Sequence, residues 1–578
     1  MAPEITRENA VSVALTGSGG AGVMTAGGLL FDAAAKFGCY GLQTRSVGPQ
    51  IRGGESAALL SFSDRPVETR SDCFDLLLAL DWNNFKSFSA EIALGAGSVV
   101  VADPKAGDFP DMVREAPGTV VEIPVQEIAD EISGGRANMV ALGIAAAAIG
   151  LPYDVVGALI GGKLAGKGEA AIAASLACVE AGYGHGSDLP DIPKVRGTEY
   201  APGDRWLLTG NEAAALGAVR GGVQFAAAYP ITPATEILEW LAPALSKVGG
   251  KLLQAEDELA SINMVIGASF GGVPSLTATS GPGLALMTES IGLATASEVP
   301  VVVIDVMRGG PSTGIPTKSE QSDLNIAIYG LHGDAPHIVA APISLADCLF
   351  TTQWAVHLAE AMQVPTIVLS DQFIGQARMI VDRPADIAFF AQRRRAETCD
   401  AETRRYALTA DGISPMPIPG TPGGQYTADG LEHSPSGTPS SRAEDHLSQL
   451  AKRRDKIEDF DYGAHWAEIE GGGDFVVVTW GSTSAAVREA ASRVREHGIR
   501  VKTVAIRLLA PLNADALMAE LEDATRVLVV EQTDGAQFYH YLRSRCHLPR
   551  DTLAMHHPGP LTLTPAEIER EILKEHRL

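Results

Sequence analysis

The sequence predicts an α/β protein built from three parallel-sheet domains. Three observations carry this. Short, continuous apolar runs recur along the chain, as expected of strands buried on both faces. Between them, apolar residues repeat at helical spacing. The rhythm breaks once, at 409–441, where Pro, Gly, Ser and Thr crowd together. At 578 residues the chain has length for roughly three to four domains of 100–200 residues.

The first block, 1–190, opens on a strand at 11–15. A glycine-rich turn follows, Gly17-Ser-Gly19-Gly20-Ala-Gly22, then a helix to about 37. Apolar strands are predicted at 75–81, 98–103 and 119–125. The apolar run 139–152 falls short of the ~18 residues a membrane helix needs and reads as a buried helix. The start, MAPEITRENA, lacks a basic end followed by an apolar stretch, so no signal peptide is expected.

The second block, 195–385, has predicted helices at 211–221, 234–241 and 258–270. The last carries Leu259, Ile262, Val265 and Ile266 at helical spacing. Strands are predicted at 224–229, 300–306 and 365–370. A linker, 386–470, then holds the Pro/Gly-rich loop and a charged helix at 444–461, expected to be solvated. The third block, 471–578, alternates again, with strands at 475–480, 500–506 and 526–531.

Charge narrows the partners. With 45 basic and 70 acidic residues the formal charge is −25. That argues against nucleic acid, which needs basic surface. The six cysteines, at 39, 73, 178, 348, 399 and 546, have neither iron–sulfur nor zinc spacing. Free thiols in a reducing cytoplasm are expected. Any iron–sulfur cluster serving this protein belongs on another chain.

Several motifs carry possible chemistry. Gly17, Gly19, Gly20 and Gly22 lie between a strand and a helix, where backbone N–H groups can cradle an anion. The acid that a dinucleotide site places about 20 residues on is missing from 39–45, so a structural turn or another phosphate-bearing ligand fits better. Arg52, in Arg52-Gly-Gly-Glu55, adds a basic side chain, with a surface turn as the alternative. Thr232, in Tyr229-Pro-Ile-Thr-Pro233, ends a strand and is held by two prolines. Glu256-Asp-Glu258 precedes an apolar helix: such acids serve as caps, or one carboxylate enters a cofactor cleft. Arg308 follows a buried strand and can hold a carboxylate by two parallel bonds, with Thr317 and Lys318 adding donors. Two G-x-S-x-G matches, at Ser269 and Ser312, raise a serine hydrolase as an alternative. His556-His557 reads as exposed loop.

Together these stretches resemble a known family. YPITP (229–233), QAEDE (254–258), TSGPG (279–283), RGGPSTGIPTKSEQSDL (308–324), YGLHGDAP (329–336) and EQTDGAQ (531–537) resemble the α subunit of 2-oxoglutarate and related 2-oxoacid:ferredoxin oxidoreductases. GSGGAG, RGGES and ANMVALG (137–143) resemble the γ domain of the same enzymes. The resemblance implies a γ domain (1–190) fused to a thiamine-diphosphate pyrimidine-binding domain (195–385), with a transketolase C-terminal-like domain (471–578). It implies that Thr232 faces the reacting carbons. It places the cofactor-binding glutamate at Glu258, with Glu256 as the fallback, and the substrate carboxylate on Arg308 and Thr317. The family's GDG motif for diphosphate and Mg²⁺ and its cluster cysteines are missing from this sequence. Mg²⁺ and a [4Fe-4S] cluster are therefore expected on a β subunit, in an α2β2 assembly. Coenzyme A and ferredoxin are the implied co-reactants, and 2-oxoglutarate the implied substrate. Pyruvate, branched-chain or aryl 2-oxoacids, and a non-catalytic assembly subunit, stay open as alternatives.

Overall fold

A computed structural model describes residues 10–47, 55–83, 85–201, 203–315 and 317–576. The chain forms two compact units, Met1–Leu208 with Ala377–Pro384, and Thr209–Gln376 with Ala385–Leu578. Three sheets, mostly parallel, run through it.

The first unit holds an eight-stranded sheet. Its order is Thr119–Glu122, Leu94–Ala102, Phe74–Ala79, Ala10–Ser18, Glu55–Ser63, Tyr40–Val47, Arg378–Asp382, Arg205–Thr209. The first four strands are parallel neighbours. The next pairings are antiparallel, a departure from the all-parallel expectation. Tyr40–Val47 and Glu55–Ser63 are linked by a short connection, which suits an antiparallel pair and cannot hold a crossover helix. Strand Arg378–Asp382 joins this sheet, although it lies in the expected second block. The run at 139–152 forms helix Ala137–Ala148, buried along most of its length. No helix among the described residues is long and apolar enough to cross a membrane.

The second unit holds two sheets over one core. The seven-stranded sheet runs Leu508–Ala510, Ile338–Ala340, Pro365–Asp371, Val301–Met307, Ser275–Thr279, Phe225–Ala228, Lys251–Gln254. The five-stranded sheet runs Ala467–Gly471, Val501–Ile506, Phe475–Trp480, Arg526–Glu531, Leu553–His556. The expected second and third blocks are joined more closely than a linker suggests. Leu508–Ala510 pairs with Ile338–Ala340 at the edge of the larger sheet. A continuous apolar cluster runs from Ile262, Leu284 and Val303 to Trp480, Val504 and Leu517.

The charged helix, Ala443–Glu458, corrects one expectation. Its Lys452, Lys456 and Gln449 are buried. Lys452 Nζ lies 2.5 Å and Lys456 Nζ 2.8 Å from the two oxygens of Glu298, itself 0% exposed. The Pro/Gly-rich segment is docked as well: His433 Nε2 lies 3.2 Å from the Ala296 carbonyl oxygen, and its ring stacks on Tyr406 with centroids 3.8 Å apart. A buried acid far away in sequence turns a solvated-looking helix face inward.

Candidate active site

The parallel strands of the seven-stranded sheet end along one edge, the usual ligand crevice of an α/β sheet. Thr232 follows strand Phe225–Ala228, and Glu258 follows Lys251–Gln254. Gly281 follows Ser275–Thr279, and Arg308 follows Val301–Met307. The fold therefore brings Thr232, Glu258 and Arg308 to the same edge.

Glu258 opens helix Glu258–Phe270. The cap is Asp257, whose carboxylate accepts from the Ala260 amide at 2.6 Å. Glu256 and Asp257 are exposed, whereas Glu258 is buried, at 8% exposure. Among the described residues no donor reaches the Glu258 carboxylate. It packs against Gly283, where an added Cβ would lie 2.8 Å from Glu258 Cγ and 2.0 Å from Thr279 Oγ1. The two glycines of TSGPG thus make room for carboxylates at the start of helix Gly281–Ala296.

Arg308 Nη1 donates to the Thr232 carbonyl at 2.7 Å. The Thr232 residue itself is exposed. Arg308 Nε is buried without an acceptor. The loop after Arg308 closes on itself: Gly309 N donates to Lys318 O at 3.0 Å, and Ile315 N to Gly309 O at 3.0 Å. Gly314 sits at φ 66°, and a Cβ there would lie 1.5 Å from the Gly309 carbonyl oxygen. Only glycine permits this closure. Thr317, at φ 47° and partly exposed, returns beside Lys318.

The rest of the long motif is a clamp between the two sheets. Gln321 Nε2 donates to Trp480 O at 2.8 Å, and Gln532 N donates to Gln321 Oε1 at 2.7 Å. Gln532 Nε2 donates to Ser319 O at 3.0 Å, and Gly559 N to Glu320 Oε2 at 3.0 Å. EQTDGAQ thus serves mainly to hold the loop: Glu531 accepts from Thr533 Oγ1 and from the Phe538 and Tyr539 amides, and Gln537 bonds Ser322 O.

Two acids beside Arg308 escaped the reading of the sequence. Asp305 is 0% exposed within strand Val301–Met307, and both its oxygens lack a donor. Asp323 faces it from the loop. Burial and the neighbouring carboxylate push Asp305 well above the usual carboxylate range, and burial raises Asp323 to about 6. The available signal was a lone acid in an otherwise apolar strand, VVVIDVM.

In the first unit, Gly17 lies buried one residue before the end of strand Ala10–Ser18, and Gly19 and Gly20 form an exposed turn. Gly22 caps helix Val23–Phe37 at φ 85°. The Asn138 side chain lies 2.4 Å from where a Gly22 Cβ would stand. Asp81 accepts from Ser18 N and Oγ, both at 2.8 Å, so that amide already has a partner. Arg52 lies outside the described residues.

The serine candidates lack hydrolase geometry. Ser269 is buried, donates to the Pro300 carbonyl and accepts from Arg393 at 3.0 Å. Ser312 is exposed at φ 60° on the loop. His556 is exposed at the end of strand Leu553–His556 and His557 is half-buried, so the pair is not simply exposed loop, and no group of metal ligands exists among the described residues.

A buried carboxylate without a donor, at a glycine-lined edge, suits a flat nitrogen heterocycle such as an aminopyrimidine. Residues 216–452 match the family described as pyruvate flavodoxin/ferredoxin oxidoreductase, thiamine diP-binding. Residues 12–185 match pyruvate ferredoxin/flavodoxin oxidoreductase. The chain is 35% identical over 382 residues to the 2-oxoglutarate synthase subunit KorA of Methanothermobacter thermautotrophicus, covering 65% of this chain and 100% of that protein. It is 32% identical over 561 residues to the 2-oxoglutarate oxidoreductase subunit KorA of Mycobacterium tuberculosis, covering 89% and 84%. The 2-oxoglutarate:ferredoxin oxidoreductase from Magnetococcus marinus, solved with 2-oxoglutarate, coenzyme A and succinyl-CoA bound, superposes with a TM-score of 0.90 at 35% identity, covering 98% of this chain and 100% of that one. The chain belongs to the 2-oxoacid:ferredoxin oxidoreductase family, as an α subunit of the KorA type with its γ domain fused.

Proposed function

We propose that this chain is the α subunit of a thiamine-diphosphate-dependent 2-oxoglutarate:ferredoxin oxidoreductase. The reaction interconverts 2-oxoglutarate, coenzyme A and oxidised ferredoxin with succinyl-CoA, CO2 and reduced ferredoxin. One observation carries the reading: a buried, donorless Glu258 shares a strand edge with Arg308 and Thr232, in a chain that aligns along 98% of its length with a 2-oxoglutarate enzyme.

Thiamine diphosphate, when bound, supplies the decarboxylation chemistry. Glu258 holds a proton at the pyrimidine nitrogen and so favours its imino form. Thr232 offers its hydroxyl toward the reacting carbons. Arg308, steadied by the Thr232 carbonyl, takes the substrate carboxylate, and Thr317 adds a hydroxyl from the closed loop. The Gly17–Gly22 turn, together with Arg52, is assigned to a phosphate-bearing co-reactant, for which coenzyme A is the candidate. The 1–190, 195–385 and 471–578 segments take the γ, pyrimidine-binding and C-terminal-like roles.

The site on this chain is half a site. Leu259, Met264 and Leu286 are 48%, 43% and 50% exposed, on the helices that begin at Glu258 and Gly281. Apolar side chains flanking a cofactor edge suit burial by a second chain. That chain is the β subunit, supplying Mg²⁺ and the [4Fe-4S] cluster in a cytoplasmic α2β2 enzyme. The test is coenzyme A-dependent viologen reduction by the co-purified complex, with 2-oxoglutarate, pyruvate and branched-chain 2-oxoacids. Glu258→Gln should lower kcat about 10²–10⁴-fold and Glu256→Gln should leave it near wild type. Turnover with no 2-oxoacid, or equal effects of the two substitutions, sinks the assignment.

A further inference from the structure

The buried carboxylates of the second unit are, as a rule, answered by donors. Glu298 has two lysines, Glu360 has Arg393, and Glu531 has two amides and a hydroxyl. Asp305, like Glu258, breaks this pattern, and the half-buried Asp323 faces it. Neither Asp305 oxygen nor Asp323 Oδ2 has a protein donor. The Ser322 hydroxyl reaches Asp323 Oδ1 at 3.3 Å and also donates to the Arg308 carbonyl at 3.0 Å. Asp305 is fully buried and Asp323 half-buried with its Oδ2 shielded from solvent; facing each other with three of their four oxygens lacking a donor, the two carboxyls hold one proton between them.

The remaining negative charge has a defined setting. Asp323 lies against Gly281, where an added Cβ would come within 2.6–2.8 Å of its carboxylate. Gly281 begins a 16-residue helix, whose N-terminus favours negative charge. The charged groups facing Asp323 are Asp305, Arg308 and Glu320. Glu258 stands against Gly283, two residues into the same helix. Burial disfavours charge on Arg308, and Asp323, which makes no ion pair with it, offsets this only in part through space.

We propose that Asp305 and Asp323 form the charge-balancing pair that positions Arg308 and takes up one proton from solvent when an anionic carboxylate binds there. The physical reason is simple. Without substrate, ionised Asp323 answers the Arg308 charge. An arriving carboxylate replaces it in that role and repels it, so the pair becomes neutral. The two acids are positioning residues, acting through Arg308, and the inference rests on the reading of Arg308 given above.

The test uses the α–β complex stripped of thiamine diphosphate, so that 2-oxoglutarate binds without turnover. Titration calorimetry in buffers of differing ionisation heat counts protons. Wild type should take up most of a proton near pH 7, and its affinity should fall about 40-fold between pH 5.5 and 8, if the bound carboxylate raises Asp323 from about 6 by about two units. Asp323→Asn and Asp305→Asn should bind with little uptake and a flat pH profile. Persistent uptake in both variants, or none in wild type, overturns the pair. Should binding be too weak for calorimetry, the kcat/KM profile of the holoenzyme decides: it should fall through about pH 6 in wild type and stay level in Asp323→Asn, and identical profiles refute the proposal. Arg308→Ala separates the two readings. If it leaves affinity unchanged, the Arg308 assignment fails; if it weakens binding while the Asp variants keep wild-type uptake, the pair alone fails.

Discussion

Replacing Glu298 by Gln should be among the most damaging single changes in the second unit. The side chain is 0% exposed and answers Lys452 and Lys456 at 2.5 and 2.8 Å. Arg405, also buried, adds a third positive charge beside it. Burial alone would raise this carboxyl, but Lys456, Lys452 and Arg405 hold it well below the usual range. Glu298→Gln keeps the shape and removes the one negative charge, leaving buried cations uncompensated. Breaking a buried pair in this way costs about 3–5 kcal/mol. Burial already lowers the Lys452 ammonium to about 8, so that lysine can shed its proton in the variant, which points to the lower end. For a unit of roughly 360 residues, an unfolding entropy of ~2.1 cal/mol/K per residue converts this to a Tm loss of about 4–7 °C. The assay is calorimetry of the complex, with the denaturant midpoint as a check. The sign with pH follows from the depressed carboxyl. Its contribution is present above the unfolded value of about 4.3 and is lost as pH falls through the lower folded value. Wild type should therefore lose more stability than Glu298→Gln on acidification. A variant within about 0.5 kcal/mol of wild type, with a parallel acid profile, would refute the reasoning.

Two further changes test the loop and its clamp. Gly314→Ala forces a methyl into the Gly309 carbonyl at 1.5 Å; it should open the loop, lower kcat/KM by up to ~100-fold through misplacement of Arg308 and Thr317, and leave Tm nearly unchanged. Normal kinetics would mean the loop does not set the site. Gln321→Ala strips partners from the Gln532 amide and the Trp480 carbonyl; it should cost about 2 kcal/mol and speed hydrogen exchange at the Gln532 amide, and unchanged exchange would show that the sheets do not need this clamp.

Much of the architecture was legible in the chain. Buried parallel strands announce themselves as apolar runs, because both faces of such a strand meet helices. Val301–Met307 and Pro365–Asp371 are such strands. The antiparallel pair Tyr40–Val47 and Glu55–Ser63 was not legible. Its alternation of polar and apolar residues is short, and the strand, glycine loop and helix before it have the order of a βα unit. The helix Ala443–Glu458 was legible as a helix but not as a buried one. Lysines look solvated until a carboxylate from 154 residues away meets them.

The α/β alternation, the family motifs and the placement of Thr232, Glu258 and Arg308 just after strands could all be read along the chain. Local order carries these, since a strand end or a helix cap is decided within a few residues. Only the tertiary structure separated Glu258, buried and without a donor, from exposed Glu256 two residues earlier. It alone brought Asp323 against Asp305, turned residues 319–321 into a clamp on Gln532, and required glycine at 314. Each of these depends on which surfaces meet across the fold, and the spacing of residues along the chain does not encode the dielectric or the partners they meet there.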